Sequence, residues 1–145
     1  MTWKIETVRD LTDVHALRRA VFIQEQGIPE AEEWDDLDTS AQHLLATVAG
    51  APAGTARLLT EGATGRIGRI CVVPAQRGTG LGAALVRAGI DRLSAQSGPE
   101  AIRLNAIRLG AQTHAIGFYE KLGFRVCGPE YDDAGIPHCP MERPL

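Results

Sequence analysis

Hydrophobic and polar positions along the chain divide it into short strands separated by amphipathic helices. Strands are predicted where apolar residues alternate with polar ones or form short β-branched runs. In chain order these segments are residues 2–8, 43–49, 55–59, 67–73, 102–109, 124–127 and 139–143. Helices are predicted where apolar residues recur every three or four positions, at residues 12–26, 81–96 and 112–122. A turn over residues 50–54 and an acidic loop over residues 30–38 complete the pattern.

The two longer helices each have one apolar face that must pack against a sheet. The residues expected inside are Val14, Leu17 and Val21 on the first helix and Leu85, Ile90 and Leu93 on the second. Thr12 is predicted to cap the first helix, and Gly27 to end it. Antiparallel hairpins, a strand–loop–helix–strand crossover and a late helix predict a mixed α+β fold with a mostly antiparallel sheet.

The composition limits the classes of protein to which this chain could belong. With 145 residues, 44% of them hydrophobic and 23% charged, the chain is predicted to be one globular domain spanning residues 1–145. A net charge of −3 argues against a nucleic-acid partner, and no apolar segment is long enough for a membrane partner. Three cysteines without CxxC spacing suggest neither a disulfide framework nor a metal site. Free thiols and an N-terminus unlike a signal peptide favour the cytoplasm.

The most informative segment runs from the strand 67–73 into the helix that begins near Leu81. The strand ends at Pro74, and Arg77-Gly78-Thr79-Gly80-Leu81-Gly82 follows. Glycines allow the backbone to approach a ligand closely, and the first amides of a helix have no partner within the helix. Such a loop is predicted to bind a phosphate or a pyrophosphate.

Spacing separates the phosphate ligands that such a loop could take. A nucleoside triphosphate loop needs a lysine followed by Ser or Thr, but Ala83 and Ala84 occupy that place. The dinucleotide fingerprint is met superficially by Gly78-x-Gly80-x-x-Ala83. It also requires an acidic residue at the end of the next strand, where this chain has Arg108. Neither nucleotide interpretation is favoured.

The loop Arg77–Gly82 resembles the Arg/Gln-x-x-Gly-x-Gly/Ala loop of the GNAT acyltransferase superfamily. Residues 115–124, Ala-Ile-Gly-Phe-Tyr-Glu-Lys-Leu-Gly-Phe, resemble the Ala-x-x-Phe-Tyr-x-x-Leu-Gly-Phe motif of that superfamily. Residues 20–26, 43–46 and 135–138 resemble its ElaA-type, YjcF-like branch. The resemblance covers nearly the whole chain. It implies the GNAT fold and transfer of an acetyl group from acetyl-CoA, without a metal, to a primary amine in a ternary complex.

The resemblance also implies which residues bind the cofactor. Backbone groups of the central strand would line the pantetheine arm, and the glycine loop would hold the pyrophosphate with Arg77 nearby. Gln112 stands where relatives often carry a cofactor-binding Asn, and Phe118 belongs to the second motif. The complete set is Ile70, Cys71, Val72, Arg77, Gly78, Thr79, Gly80, Leu81, Gly82, Ala83, Gln112 and Phe118.

Tyr119 matches the tyrosine to which the superfamily assigns protonation of the leaving thiolate, and a phenol with a pKa of about 10 suits that role. The general base is less evident. Many relatives place a carboxylate at the start of the central strand, where this chain has Arg66, Gly68 and Arg69. Glu25 and His43 are the candidate catalytic bases of first choice; His138 or a chain of water molecules are the alternatives.

Two other functions compete with the amine acetyltransferase. A non-catalytic module could bind or sense acyl-CoA, and residues 19–22 faintly resemble enzymes that make acyl-homoserine lactones. The acceptor is expected to be a small molecule or a peptide, and a homodimer is a habit of the superfamily. The acidic loop either attracts a polyamine or basic peptide or is a solvated surface. Trp34 within it is expected to cover the acceptor pocket or a subunit contact.

Overall fold

The computed structural model describes residues 2–95 and 104–145. Its strands are β1 Trp3–Val8, β2 Gln42–Val48, β3 Ala51–Glu61, β4 Thr64–Val72, β5 Ala106–Gln112, β6 Arg125–Val126, β7 Tyr131–Asp133 and β8 Ile136–Pro144. Its α-helices are α1 Thr12–Arg18, α2 Glu30–Glu33, α3 Leu81–Ser94 and α4 Ile116–Glu120. A π-helical segment, Arg19–Glu25, extends α1, and 3₁₀ turns cover Pro74–Gln76 and Thr113–Ala115.

The strands form one mixed sheet in the order β1-β2-β3-β4-β5-β8-β6, with β7 paired to β8. All neighbours are antiparallel except β4 and β5. In the described residues the parallel pairing of β4 and β5 spans only Thr64–Arg66, opposite residues 106–108. Beyond Arg66 the two strands diverge, so the sheet opens in its middle.

Each face of the sheet packs a separate hydrophobic core. The larger core lies under α3 and α4 and includes Leu85, Ile90 and Leu93. The smaller core lies under α1 and includes Val14, Leu17 and Val21. All six residues predicted to face inward are buried, so this prediction is confirmed.

The β2–β3 turn lies earlier than predicted. Ala49 and Gly50 form a two-residue turn with φ angles of 51° and 80°, and β3 already begins at Ala51. Two successive residues with positive φ suit the twist of a tight hairpin, so residues 51–54 are free to continue as strand. The predicted turn at 50–54 is therefore wrong.

Helix ends also differ from the prediction. Thr12 is the first residue of α1 rather than its cap, because Asp10 Oδ1 accepts hydrogen bonds from the Thr12 amide at 3.0 Å and from its hydroxyl at 2.6 Å. Gly27 does end the helix, with φ 71°. The predicted strand 102–109 begins at Ala106; residues 102 and 103, and the predicted helix end at residue 96, lie outside the described residues.

A β-bulge in β4 accompanies the opening of the sheet. Between the pairs Thr55–Cys71 and Arg57–Gly68, β4 has one more residue than β3. Arg69 in this bulge has φ 48°, a left-handed conformation that is uncommon for a residue with a side chain. The surrounding structure must therefore hold Arg69 in place.

The predicted acidic loop supplies that constraint. The Glu33 carboxylate is 2.8 Å from Arg18 Nε and 3.2 Å from Arg69 Nε, and the Glu33 carbonyl accepts from Arg69 Nη2 at 3.1 Å. Arg18 and Glu33 are almost fully buried. Asp35 and Asp38 extend the network to Arg57.

Charge pairing within this network lowers the pKa of a carboxyl group and shows what the acidic loop does. Burial would raise the pKa of the Asp38 carboxyl, but hydrogen bonds and ion pairs with Arg18 and Arg57 hold it well below its usual value. Three of the acidic residues of the loop thus neutralise buried arginines. The acidic loop is therefore not merely a solvated surface, and it is not free to attract a polyamine.

We expect Glu33→Ala to destabilise the fold strongly, because the buried Arg18 loses one of the two carboxylates that lie 2.8 Å from it. Breaking a buried ion pair by removing one partner typically costs about 3–5 kcal/mol. Equilibrium unfolding in urea, followed by circular dichroism, measures the change. Glu30→Ala on the same helix is the matched control, since Glu30 pairs with Arg19 at the exposed surface. Equal urea midpoints for the two variants would contradict the role of Glu33.

Candidate active site

The separation of β4 and β5 creates a cleft of about 590 Å³. Val21 and Phe22, from the core under α1, line it together with Tyr119, from the core under α4. Because residues from both faces of the sheet contribute to one cavity, the cleft passes through the sheet. Two ligands could therefore approach each other from opposite faces.

The wall formed by β4 contains the predicted pantetheine-binding residues. Ile70, Cys71 and Val72 all line the cleft. This part of β4 pairs with β3 on one side only, so alternate backbone groups are directed into the cleft. Buried backbone amides require a partner, and an extended ligand with amide groups could provide it.

The glycine loop adjoins the cleft through Arg77 and leads into α3. Gly78 and Gly80 have φ angles of 77° and 96°, which only glycine adopts readily, and Gly80 is the N-cap of α3. The Thr79 hydroxyl donates to the Gln76 carbonyl at 2.6 Å within the loop. The first amides of α3, at Leu81, Gly82 and Ala83, are therefore available to a ligand with the helix dipole behind them.

Phe118 stands beside this helix terminus. Its side chain is 39% exposed, and its ring lies 3.6 Å from the position that a β-carbon on Gly82 would occupy. A large aromatic residue so exposed at the edge of a loop offers an apolar surface to a bound ligand.

Arg77 and Glu25 form a bidentate ion pair across the mouth of the cleft. Both nitrogen–oxygen distances are 2.7 Å, and Arg77 Nε also donates to the Val72 carbonyl at 3.0 Å. The hydrogen bond from Arg77 lowers the pKa of the Glu25 carboxyl. This makes Glu25 a weak proton acceptor and suits it to orienting Arg77.

The structure places His43 away from the cleft. Its ring is almost fully buried, and Nε2 is 2.9 Å from the Asp38 carbonyl, within the ion-pair network. An amine in the cleft has no direct approach to this ring, so we do not retain His43 as a catalytic residue. Trp34 packs in the same region, with the guanidinium groups of Arg18 and Arg19 at 5.2 and 5.6 Å from its ring.

Gln112 links the two sides of the cleft. Its Nε2 donates to Gln26 Oε1 at 3.1 Å, and its Oε1 accepts from His114 Nε2 at 2.7 Å. The π-helical segment brings Gln26 to this position, because a π-helix changes the direction in which later side chains face. Gln112 therefore lies at the predicted site with both ends of its amide already bonded.

Tyr119 projects into the cleft from α4. Its ring packs edge-on against Phe118 and Phe124, with centroid distances of 5.0 and 6.1 Å. Burial raises the pKa of Tyr119 to about 12. The ordinary phenol value of about 10 assumed from the sequence is therefore too low for this position.

Part of the cleft lining was not predicted from the sequence. Arg57, Arg66, Tyr131 and Asp133 all line it. β7, which carries two of them, is only three residues long and has no buried position, so it shows no alternation of hydrophobic and polar residues. The tyrosine and the two aspartates at residues 131–133, just before Gly135, could have indicated a polar lining there.

Comparison with known proteins agrees with this geometry. A family model described as an acetyltransferase (GNAT) domain matches residues 8–145. A candidate acetyltransferase of Bacillus subtilis is 41% identical over 143 residues, covering 97% of this chain and 93% of that protein. YjcF of Bacillus subtilis, named as an uncharacterised N-acetyltransferase, is 36% identical over 132 residues and 90% of each chain. The crystal structure of Escherichia coli ElaA superposes with a TM-score of 0.80, at 28% identity over 98% of each chain.

The chain belongs to the GNAT acetyltransferase family, and it is an acyl-CoA-dependent N-acetyltransferase. The predicted family and mixed α+β fold are confirmed. None of the helices in the described ranges, residues 2–95 and 104–145, has the length and apolar character needed to cross a bilayer.

We expect Cys71 to resist alkylation in the native protein. It is buried, and burial raises the pKa of its thiol to about 12, so almost no reactive thiolate forms at pH 8. Cys127 is exposed and serves as the internal control. Iodoacetamide labelling followed by peptide mass spectrometry should modify Cys127 rapidly and Cys71 only in urea. Equal rates in the native protein would show that Cys71 is accessible.

Proposed function

We propose that this enzyme transfers the acetyl group of acetyl-CoA to a primary amine on a small molecule or peptide, by direct attack in a ternary complex. The observation that carries the proposal is the cleft through the sheet, which joins the glycine loop at one end. The reaction needs a thioester and an amine to meet while both remain separately bound. An opening with access from both faces satisfies that requirement.

Backbone groups would form the half of the site that binds the cofactor. The diphosphate of coenzyme A would accept hydrogen bonds from the loop amides between Gly78 and Ala83, at the positive end of α3. The pantetheine arm would run along Ile70–Val72 and bring the thioester into the cleft. An amide near Val72 would then stabilise the oxyanion of the tetrahedral intermediate. Phe118 would cover the cofactor near Gly82.

Arg77 acts in this scheme as an organiser of the loop. Its guanidinium is bonded to the Glu25 carboxylate and to the Val72 carbonyl, at the junction of β4 and the loop. The ion pair neutralises most of its charge. Binding of the diphosphate therefore depends mainly on backbone amides, with Arg77 and Glu25 holding the end of β4 in place.

A covalent acetyl-enzyme is not needed. Cys71, a thiol that lines the cleft and packs in the core under α1, is protonated because burial raises its pKa to about 12. A neutral buried thiol is a poor nucleophile. Direct attack by the amine is therefore the favoured route, and Cys71 serves as a packing residue.

Tyr119 would donate a proton to the departing sulfur. With a pKa of about 12 the phenol stays protonated over the whole neutral range. A thiol has a pKa of only about 8.5, so a complete transfer from the phenol to the thiolate is uphill. We infer that this transfer is coupled to proton loss from the newly bonded nitrogen, which restores the phenol.

The three free thiols, at Cys71, Cys127 and Cys139, suit a reducing compartment, and we propose the cytoplasm. Homodimer formation stays a prediction.

A thiol-release screen tests the function. Acetyl-CoA would be supplied with amino acids, polyamines, amino sugars, aminoglycosides and peptide N-termini, and free thiol measured with a chromogenic disulfide. We expect release with at least one class of amine, and mass spectrometry of the product should show one added acetyl group. Tight binding of CoA with no release from any amine would favour a binding or sensing module instead.

We expect Gly80→Ala to weaken CoA binding about tenfold in a calorimetric titration, because a side chain at φ 96° costs roughly 1–2 kcal/mol. Gly82→Ala is the matched control. A β-carbon there would meet Phe118 at an ordinary distance of 3.6 Å, so CoA affinity should stay within about threefold of the parent. Unchanged affinity in both variants, or no binding by the parent at millimolar CoA, would overturn the proposed loop.

We expect Tyr119→Phe to lower kcat about 100-fold while leaving the Kd for CoA nearly unchanged, since general acid catalysis contributes about 10²–10⁴. Steady-state thiol release and calorimetry measure the two quantities. Tyr131→Phe removes the other tyrosine hydroxyl that lines the cleft and should cost far less. Equal kcat for Tyr119→Phe and the parent would remove Tyr119 from the mechanism.

A further inference from the structure

An amine acceptor arrives mostly as an ammonium ion, since a primary alkyl amine such as lysine has a pKa of about 10.4. The reaction therefore needs a group that accepts a proton before attack. Glu25 is committed to Arg77, and His43 lies outside the cleft. On β4, Arg66 and Arg69 line the cleft, and a guanidinium cannot accept a proton.

His138 has one ring nitrogen in the protonation state that a base requires. Its Nδ1 is 2.7 Å from the Ile136 carbonyl, which can only accept a hydrogen bond. Nδ1 must therefore carry the hydrogen. In the neutral ring the lone pair is consequently on Nε2.

The strand register shows which face of the sheet His138 occupies. His138 on β8 lies directly opposite Gln112 on β5, and directly opposed residues project to the same face. The Gln112 side chain reaches Gln26, on the face covered by the π-helical segment. His138 lines the cleft from this face, whereas Tyr119 belongs to the core on the other.

The ring of His138 is held firmly. It stacks on Tyr131 with a centroid distance of 5.7 Å and an interplanar angle of 26°. Tyr131 in turn lies over β5, where a β-carbon on Gly110 would collide with its hydroxyl. Gly110 thus allows the β7–β8 hairpin to close against β5 with the ring facing the cleft.

We propose that His138 Nε2 is the general base that deprotonates the acceptor ammonium, an inference that rests on the proposed function. Nε2 takes one proton, which leaves a neutral amine and an imidazolium. The nitrogen lone pair forms the C–N bond at the thioester carbonyl carbon, and collapse of the intermediate breaks the C–S bond. The thiolate gains a proton from Tyr119, and Tyr119 regains one from the amide nitrogen. The imidazolium returns its proton to water, so each turnover releases one proton.

Several titratable or charged groups surround this ring. Tyr131 stacks on it, and Cys139 follows it on β8. Arg66 and Asp133 both act on the pKa of Tyr131 and so lie close to the pair, although burial is the main cause that raises that pKa. His114 also lines the cleft, but its Nε2 is bonded to Gln112. A pH profile must therefore be compared between variants of the two histidines.

The test is the pH dependence of kcat/KM for His138→Ala, with an acceptor found in the thiol-release screen. In the parent, kcat/KM should rise with pH as the base loses its proton, and then level off. The variant should lose about 100-fold at pH 7, and its deficit should shrink towards pH 9 as free amine accumulates. Added imidazole should restore part of the rate.

His114→Ala is the matched control and should keep the parent's rise with pH, without rescue by imidazole. A rise of the same shape in His138→Ala, or no rescue, would overturn this inference while leaving the proposed function intact. Absence of turnover in the parent would overturn both. CoA affinity and thermal stability of each variant show whether it is folded.

If His138→Ala fails to fold, ring ¹⁵N spectra of the parent decide the matter. The spectra of the neutral ring should show the hydrogen on Nδ1 and an unprotonated Nε2. A hydrogen on Nε2 with the lone pair on Nδ1 would overturn the assignment.

Discussion

The separation of β4 from β5 beyond Arg66 is the constraint on which the site depends. Two parallel neighbours would normally continue to pair, and the cleft exists because these two stop after three residue pairs. The bulge at Arg69 accompanies this divergence, and beyond it Cys71 and Val72 pair with β3 alone. A left-handed non-glycine residue costs roughly 1–3 kcal/mol, so the bulge needs support from elsewhere.

That support comes from a buried set of charges rather than from apolar packing. Glu33 binds Arg69 through both its carboxylate and its carbonyl, and it also neutralises the buried Arg18. Ion pairs of this kind add little net stability because both charges lose their hydration. They do require specific partners, so α1, the acidic loop and β4 are held in an arrangement that gives the buried Arg18 and Glu33 partners of opposite charge. The bulge is thereby tied to the helices on one face of the sheet.

The same opening divides the chemistry between two faces. The glycine loop and Tyr119 belong with α3 and α4, which suits a cofactor and its leaving group. Glu25, Gln112 and His138 lie towards the π-helical segment and the β7–β8 hairpin, which suits the acceptor. The proposed acid and the proposed base thus reach the cleft from opposite faces of the sheet.

Features that depend on local backbone demands could be read from the chain alone. Gly78 and Gly80 occupy the positive φ angles that glycine favours, and the apolar faces of α1 and α3 follow helical spacing, so the mixed α+β fold and the form of the glycine loop were predictable. The family followed from the two motifs that resemble it. Which charged residues pair with one another depends on the tertiary fold. Arg77 captures Glu25 from 52 positions away, Glu33 reaches Arg69 across 36, and the ring of His43 turns out to be buried. Such contacts join residues distant in sequence, and no local periodicity records them.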